Sequence, residues 1–283
     1  MNKVKIITDS TNDLGLDILK ELDIEQIPLF VNFGEESYKD CIDINTETLY
    51  EEVKKRGSLP KTAAISIDAL IEIFGGFVNE GYDVVYTGIS KSMSRTFENA
   101  VLASRELPEG RVYCVDSMNL STGIGLLLFK AAEDRDKGLS ASEIASNIEK
   151  NSKLVLSQFA IETMEYLHKG GRCSGVARFF GTMLKIKPII GVRDGKMSVI
   201  KKPIGKMKVA LDAMINQIIG DKDRLDTSRI LVTHSLAYDY CEYIKSRLEV
   251  EFPGVEIVCT VAGCVISSHC GKGTIGILYM VKE

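Results

Sequence analysis

Residues 83–100 read DVVYTGISKSMSRTFENA, and the order of residue types in this stretch decides the fold. The β-branched run that begins at Val84 predicts a strand, the hydroxyl-rich residues that follow predict a turn, and a helix opens at about Arg95. The first amides of a helix have no partner of their own, so a turn of this kind gathers backbone N–H groups and hydroxyls around one small electron-rich group. Ser90, Ser92, Ser94 and Thr96 supply the hydroxyls, and no Asp or Glu lies between Asp83 and Glu98 to repel an anion. Two readings fit: a seat for a carboxylate, or a set of ordinary helix caps.

The same alternation extends on both sides. Val4 to Thr8 is a short apolar run that ends in Asp9-Ser10-Thr11-Asn12-Asp13, with Leu14, Ile18, Leu19 and Leu22 following at helical spacing. Ile27 to Asn32 reads as a second strand and Thr46 to Lys55 as a helix with Thr46 as its cap. Leu59 to Ser66 forms a loop that brings the hydroxyls of Thr62 and Ser66 to the entrance of a helix spanning Ile67 to Asn79. Val112 to Asp116 predicts another strand, and a helix starts at about Asn119. Alternating strands and helices predict an α/β fold with a mostly parallel, doubly wound sheet, whose polar strand ends (TDST, GISKS and VDSMN) are where a ligand is expected.

The pattern changes after Gly138. A polar helix at Ala141 to Ser152 precedes a region with the hairpin signal Asp194-Gly195 between two apolar runs, which predicts antiparallel strands. Two α/β domains are therefore expected, a parallel one over 1–152 and one with a mixed sheet over 153–283. Phe179, Phe180, Met183 and Leu184 form an apolar helix face, read either as a tunnel wall or as core.

Composition narrows the function classes. The 283 residues carry a net charge of -4 with 35 scattered basic residues, so nothing marks a nucleic-acid surface. The N-terminus has no secretory h-region and no apolar run approaches the ~20 residues of a membrane span, so a cytoplasmic protein without a transmembrane segment is expected. Seven cysteines without a C-x-x-C and three histidines without ligand spacing predict neither disulfide frame nor metal, and no cofactor is expected. Gly271 to Gly276 matches G-x-G-x-x-G but is followed by a strand instead of opening a helix, which argues against a nucleotide site. Gly88-Ile89-Ser90-Lys91-Ser92 nearly matches a nucleophile elbow. With Asp194 and His269 downstream, a serine hydrolase or acyl transferase using Ser90 or Ser94 is the alternative reading.

Taken in order, Thr8-Asp9-Ser10-Thr11, Tyr38-Lys39-Asp40, Pro60-Lys61-Thr62, Ser90 to Ala100, Val115-Asp116-Ser117, Tyr166 to Arg172, Lys187-Pro188-Ile189 and Val265 to Gly273 make the chain resemble the DegV family of bacterial fatty-acid-binding proteins. The resemblance covers the whole chain. It implies a long-chain fatty acid held between two α/β domains, with Thr62, Ser94 and His269 at the carboxylate and Ser92 and Arg95 beside them. It also implies a non-enzymatic monomer that presents the acid to a separate ATP-binding fatty acid kinase for acyl phosphate formation. The chain departs from the family pattern with Arg95 where glycine is common, Cys270-Gly271-Lys272-Gly273 where threonine and proline are usual, and Ile204 where an arginine is common. Lys201, Lys202 and Lys206 are the basic residues nearest that last position.

Overall fold

The computed structural model describes residues 2–174 and 186–282. The chain begins with β1 (Lys3–Asp9), α1 (Leu16–Glu21), β2 (Ile24–Ile27), β3 (Phe30–Phe33), β4 (Glu36–Lys39), α2 (Thr46–Arg56) and β5 (Lys61–Ala63). It continues through α3 (Ile67–Asn79), β6 (Tyr82–Gly88), α4 (Thr96–Ser104), β7 (Val112–Asp116), α5 (Thr122–Asp136) and α6 (Ala141–Ser152). Then follow β8 (Val155–Ala160), α7 (Glu165–Gly170), β9 (Cys173–Ser174), β10 (Ile189–Arg193), β11 (Lys196–Lys201) and α8 (Met207–Gly220). The last elements are β12 (Leu225–His234), α9 (Tyr238–Glu251), β13 (Glu256–Val261), α10 (Cys264–Cys270) and β14 (Ile275–Val281).

Strand β6 lies inside a fully parallel sheet of order β2-β1-β6-β7. Its apolar residues face both ways. Val84 and Tyr86 join a core with Leu70 and Phe74 of α3 and Ala100 of α4, whereas Val85 joins a core with α5 and α6. A strand covered on both faces needs an unbroken apolar run, which is why VVY replaces polar alternation here. The strands from 155 onward build a seven-stranded mixed sheet of order β13-β12-β14-β8-β10-β11-β9, and β4-β3-β5 forms a small antiparallel sheet. Helix α5 lies between the two large sheets, with every residue from Thr122 to Leu128 buried. Its core includes Ile6 and Val85 from one sheet and Phe159, Leu231 and Leu278 from the other. Asp194 and Gly195 take φ values of 49° and 72°, as the two-residue β10–β11 turn requires.

Several local expectations change. The strand expected over 27–32 is two strands in different sheets, because Pro28 has no N–H to continue the ladder. Within the expected loop at 59–66, residues 61–63 pair with β3 as strand β5. Asn45 caps α2 by accepting from the Thr48 N–H, while Thr46 Oγ1 donates to the carbonyl of Ala262 at 2.6 Å. Residues 264–270, to which the sequence reading assigns no element, form α10. The apolar face at 179–184 lies outside the described residues.

The TDST strand end, expected to carry ligand, is instead buried and bonded within the protein. Asp9 accepts from the Ile89 N–H at 2.9 Å, Tyr86 Oη at 3.0 Å and the Thr11 N–H at 3.0 Å, and also from the Thr11 hydroxyl. This ties the end of β1 to the start of the central turn. A Cβ on Gly88 would collide with the Asp9 carboxylate and stand 2.6 Å from Tyr86 Oη. We expect Gly88→Ala to lower stability by about 2–4 kcal/mol, read as a shift in the urea midpoint.

Asp13 and Asp40 are buried at the same end of the sheet. Burial raises both pKa values, that of Asp13 to about 8 against its hydrogen bonds from Ser121 and the Gly263 N–H. Between its ordinary value of 3.8 and about 8, the folded protein keeps a proton on Asp13 that the unfolded chain releases. Its contribution is therefore complete below about pH 4 and lost as pH rises through about 8. Denaturant titrations should show the wild type losing stability relative to Asp13→Asn across that window.

Candidate functional site

Between the central turn and the seven-stranded sheet lies a cavity of about 410 Å³. Its walls come from both halves of the chain: Ile89 and Met93 of the turn, Leu120 before α5, Phe159 of β8, Met197 of β11 and Leu278 of β14. Thr62, Ser92, Ser94, Arg95 and His269, all named from the sequence, line this one cavity.

Each side chain is placed by its local structure. Pairing of β5 with β3 sets Thr62 opposite Val31 and brings its Oγ1 to 3.0 Å from His269 Nε2. His269 occupies the last turn of α10, and its Nδ1 is buried with no hydrogen-bond partner among the described residues. The imidazole rests directly on Gly170, where a Cβ would collide with Nδ1 and stand 3.3 Å from Cε1. Ser94 Oγ is 3.0 Å from Thr96 Oγ1 and accepts from the Thr96 N–H at 3.2 Å, so it also caps the start of α4. Arg95 lies at the rim with its side chain 88% exposed and 3.8 Å from Glu98.

The electrostatics favour an anion. Among the described residues that line the cavity there is no Asp or Glu, whereas Lys91, Arg95 and Arg172 are present. Burial, with the positive charge of Arg172, lowers the pKa of His269 to about 4. The ring is therefore neutral near pH 7 and offers one hydrogen bond without adding charge. Arg172, which the sequence reading places only in the stretch Tyr166 to Arg172 and not among the site residues, also lines the cavity. Gly171 ends α7 in the left-handed conformation, and Arg172 Nη1 donates to the Gly170 carbonyl at 2.6 Å.

Among the described residues, Ser90, Asp194 and His269 are not joined by hydrogen bonds as a triad. Ser90 is buried and its Oγ accepts from the Ser92 N–H at 3.3 Å, Asp194 is exposed at a hairpin tip, and His269 is engaged by Thr62. His234 also borders the cavity, but its Nδ1 accepts from the Ala237 N–H at 3.2 Å; His168 is exposed. Among the described residues, no group of three or more His, Cys, Asp or Glu is placed to hold a metal ion. No described helix is long and apolar enough to cross a membrane.

Residues 3–282 match the model of a family described as "Uncharacterised protein, DegV family". The chain belongs to the DegV family. Protein DegV of Bacillus subtilis is 31% identical over 281 residues, covering 99% of each chain. A DegV domain-containing protein of Clostridium perfringens is 34% identical over 280 residues, again covering 99% of each. Two solved DegV structures superpose along their full length. One, from Thermus thermophilus and described as showing fatty acid binding, has a TM-score of 0.89 at 28% identity and covers 99% of this chain and 100% of the other. The other, described as DegV, a fatty acid binding protein from Bacillus subtilis, has a TM-score of 0.88 at 29% identity and covers 100% of both.

In this DegV-family chain, the state of the imidazole is open to direct measurement. A carbon-detected NMR titration of His269 should give a midpoint of about 4, rising in Arg172→Gln as a nearby positive charge is removed. A wild-type midpoint near 6.5 would contradict the buried, unpaired Nδ1.

Proposed function

We propose that this protein binds a long-chain fatty acid, with the carboxylate at Thr62, Ser94 and His269, Ser92 and Arg95 beside it, and the acyl chain along the apolar cavity walls. The observation that carries this reading is the Thr62–His269 pair opening onto a cavity whose lining, among the described residues, has cations and no carboxylates. Each hydrogen bond to the anionic head contributes about 1.5–3 kcal/mol, and each buried CH₂ about 0.8 kcal/mol, so the chain dominates affinity and the head group sets orientation. The relatives described as fatty-acid-binding at 28–29% identity support the same ligand class.

In this reading the protein is a cytosolic monomer divided at 152/153, and it performs no chemistry of its own. A separate ATP-binding kinase phosphorylates the presented acid to an acyl phosphate. Ile204, 70% exposed just after β11, stands with Lys201, Lys202 and Lys206 on the surface proposed to meet that kinase.

Calorimetry on delipidated protein should show uptake of hexadecanoate at micromolar concentration. Thr62→Val and Ser94→Ala should each weaken it about ten-fold, equivalent to about 1.4 kcal/mol. Absence of uptake would overturn the proposal, and covalent labelling of Ser90 or Ser94 by a fluorophosphonate would favour the hydrolase.

A further inference from the structure

Helix α10 carries His269 to the cavity, yet its own N-cap, Gly263, has no side chain to hold its first amides. Residues far away in sequence do so. The Gly263 N–H donates to Asp13 Oδ1 at 2.8 Å and the Cys264 N–H to Asp40 Oδ1 at 2.7 Å. The second carboxylate oxygens are also engaged, Asp13 Oδ2 by Ser121 Oγ at 2.5 Å and Asp40 Oδ2 by Ser10 Oγ at 2.8 Å. The fit is close, since a Cβ on Gly263 would stand 3.3 Å from both Asp40 oxygens and 3.0 Å from Cys41 Sγ. Two further tethers come from α2: Thr46 Oγ1 donates to the Ala262 carbonyl, and Tyr50 Oη is 2.6 Å from Ser235 Oγ, itself 2.8 Å from Ser267 Oγ.

These contacts put both ends of the imidazole's support under control of the first half of the chain. Thr62 holds the ring tip at Nε2, while Asp13 and Asp40 hold the first turn of the helix that bears it. A helix of seven residues has little cohesion of its own, so its axis follows the groups that seat its terminus. We infer that Asp13 and Asp40 are positioning residues for the anion site: through α10 they set His269 against Thr62. They act through the helix without touching the ligand. The inference rests on the carboxylate-site reading above.

The test compares wild type with Asp40→Ala and Asp13→Ala, which remove the oxygens that accept the Cys264 and Gly263 amides, and with Thr46→Val, a milder cut in the same seat that serves if the Ala variants do not fold. Delipidated proteins are titrated with hexadecanoate and with hexadecan-1-ol. Asp40→Ala and Asp13→Ala should lose about ten-fold for the acid and less than two-fold for the alcohol, with Thr46→Val losing about three-fold for the acid only. Equal losses for acid and alcohol, or no loss for the acid, would overturn the assignment. In ligand-free protein, the His269 ring resonances of Asp40→Ala should move toward those of Thr62→Val, in which the pair is broken; resonances identical to wild type would also overturn it. If the wild type takes up no hexadecanoate, the proposed function falls and this ligand-free comparison alone decides whether the carboxylates position the histidine.

Discussion

Three carboxylates buried at one end of the parallel sheet hold the rest of the structure in register. Asp9, Asp13 and Asp40 accept hydrogen bonds from backbone amides and hydroxyls supplied by the central turn, the α5 entrance and the first turn of α10. Burying a carboxyl group is costly unless its oxygens are satisfied, so each of these side chains tolerates only a narrow arrangement of its donors. Asp9 fixes the central turn relative to β1, and Asp13 and Asp40 fix α10 relative to the first half. The burial that raises their pKa values also makes this junction rigid.

That junction frames a cavity of opposite character. Buried acids lie behind the helix that carries His269, while the cavity itself is lined by hydroxyls, a neutral imidazole and cations above apolar walls. The separation matters because a carboxylate facing the cavity would repel an anionic head group in a medium of low effective dielectric. Burial raises the pKa values of the buried acids, that of Asp13 to about 8, which lessens the negative charge behind the helix that would oppose an anion in the cavity. Helix α5 completes the frame by packing against both large sheets, so the two halves share one apolar core behind the cavity.

Much of this was legible in the residues. The strand–turn–helix at 83–100, the alternation on both sides of it and the Asp194-Gly195 turn gave an α/β fold with one parallel and one mixed sheet. Thr62, Ser92, Ser94, Arg95 and His269 were named from sequence and line a single cavity. Arg172 escaped because a basic residue after two glycines looks like any solvated loop cation until its neighbours are known. Helix α10 escaped because seven residues are too few for a period to show, and the split at Pro28 escaped because an apolar run on both sides hid a change of sheet.

The amino-acid sequence by itself determined the local order of strands and helices, the turn chemistry and the supply of uncharged donors at helix entrances. These depend on neighbours a few residues apart, through periodicity, capping and backbone preference. Only the tertiary structure decided which of the polar residues became ligand-facing and which became struts. Asp13 and Gly263, or Asp40 and Cys264, meet across more than two hundred residues of chain. No local pattern encodes that meeting, because the burial that turns a surface aspartate into a structural one is created by the whole fold at once.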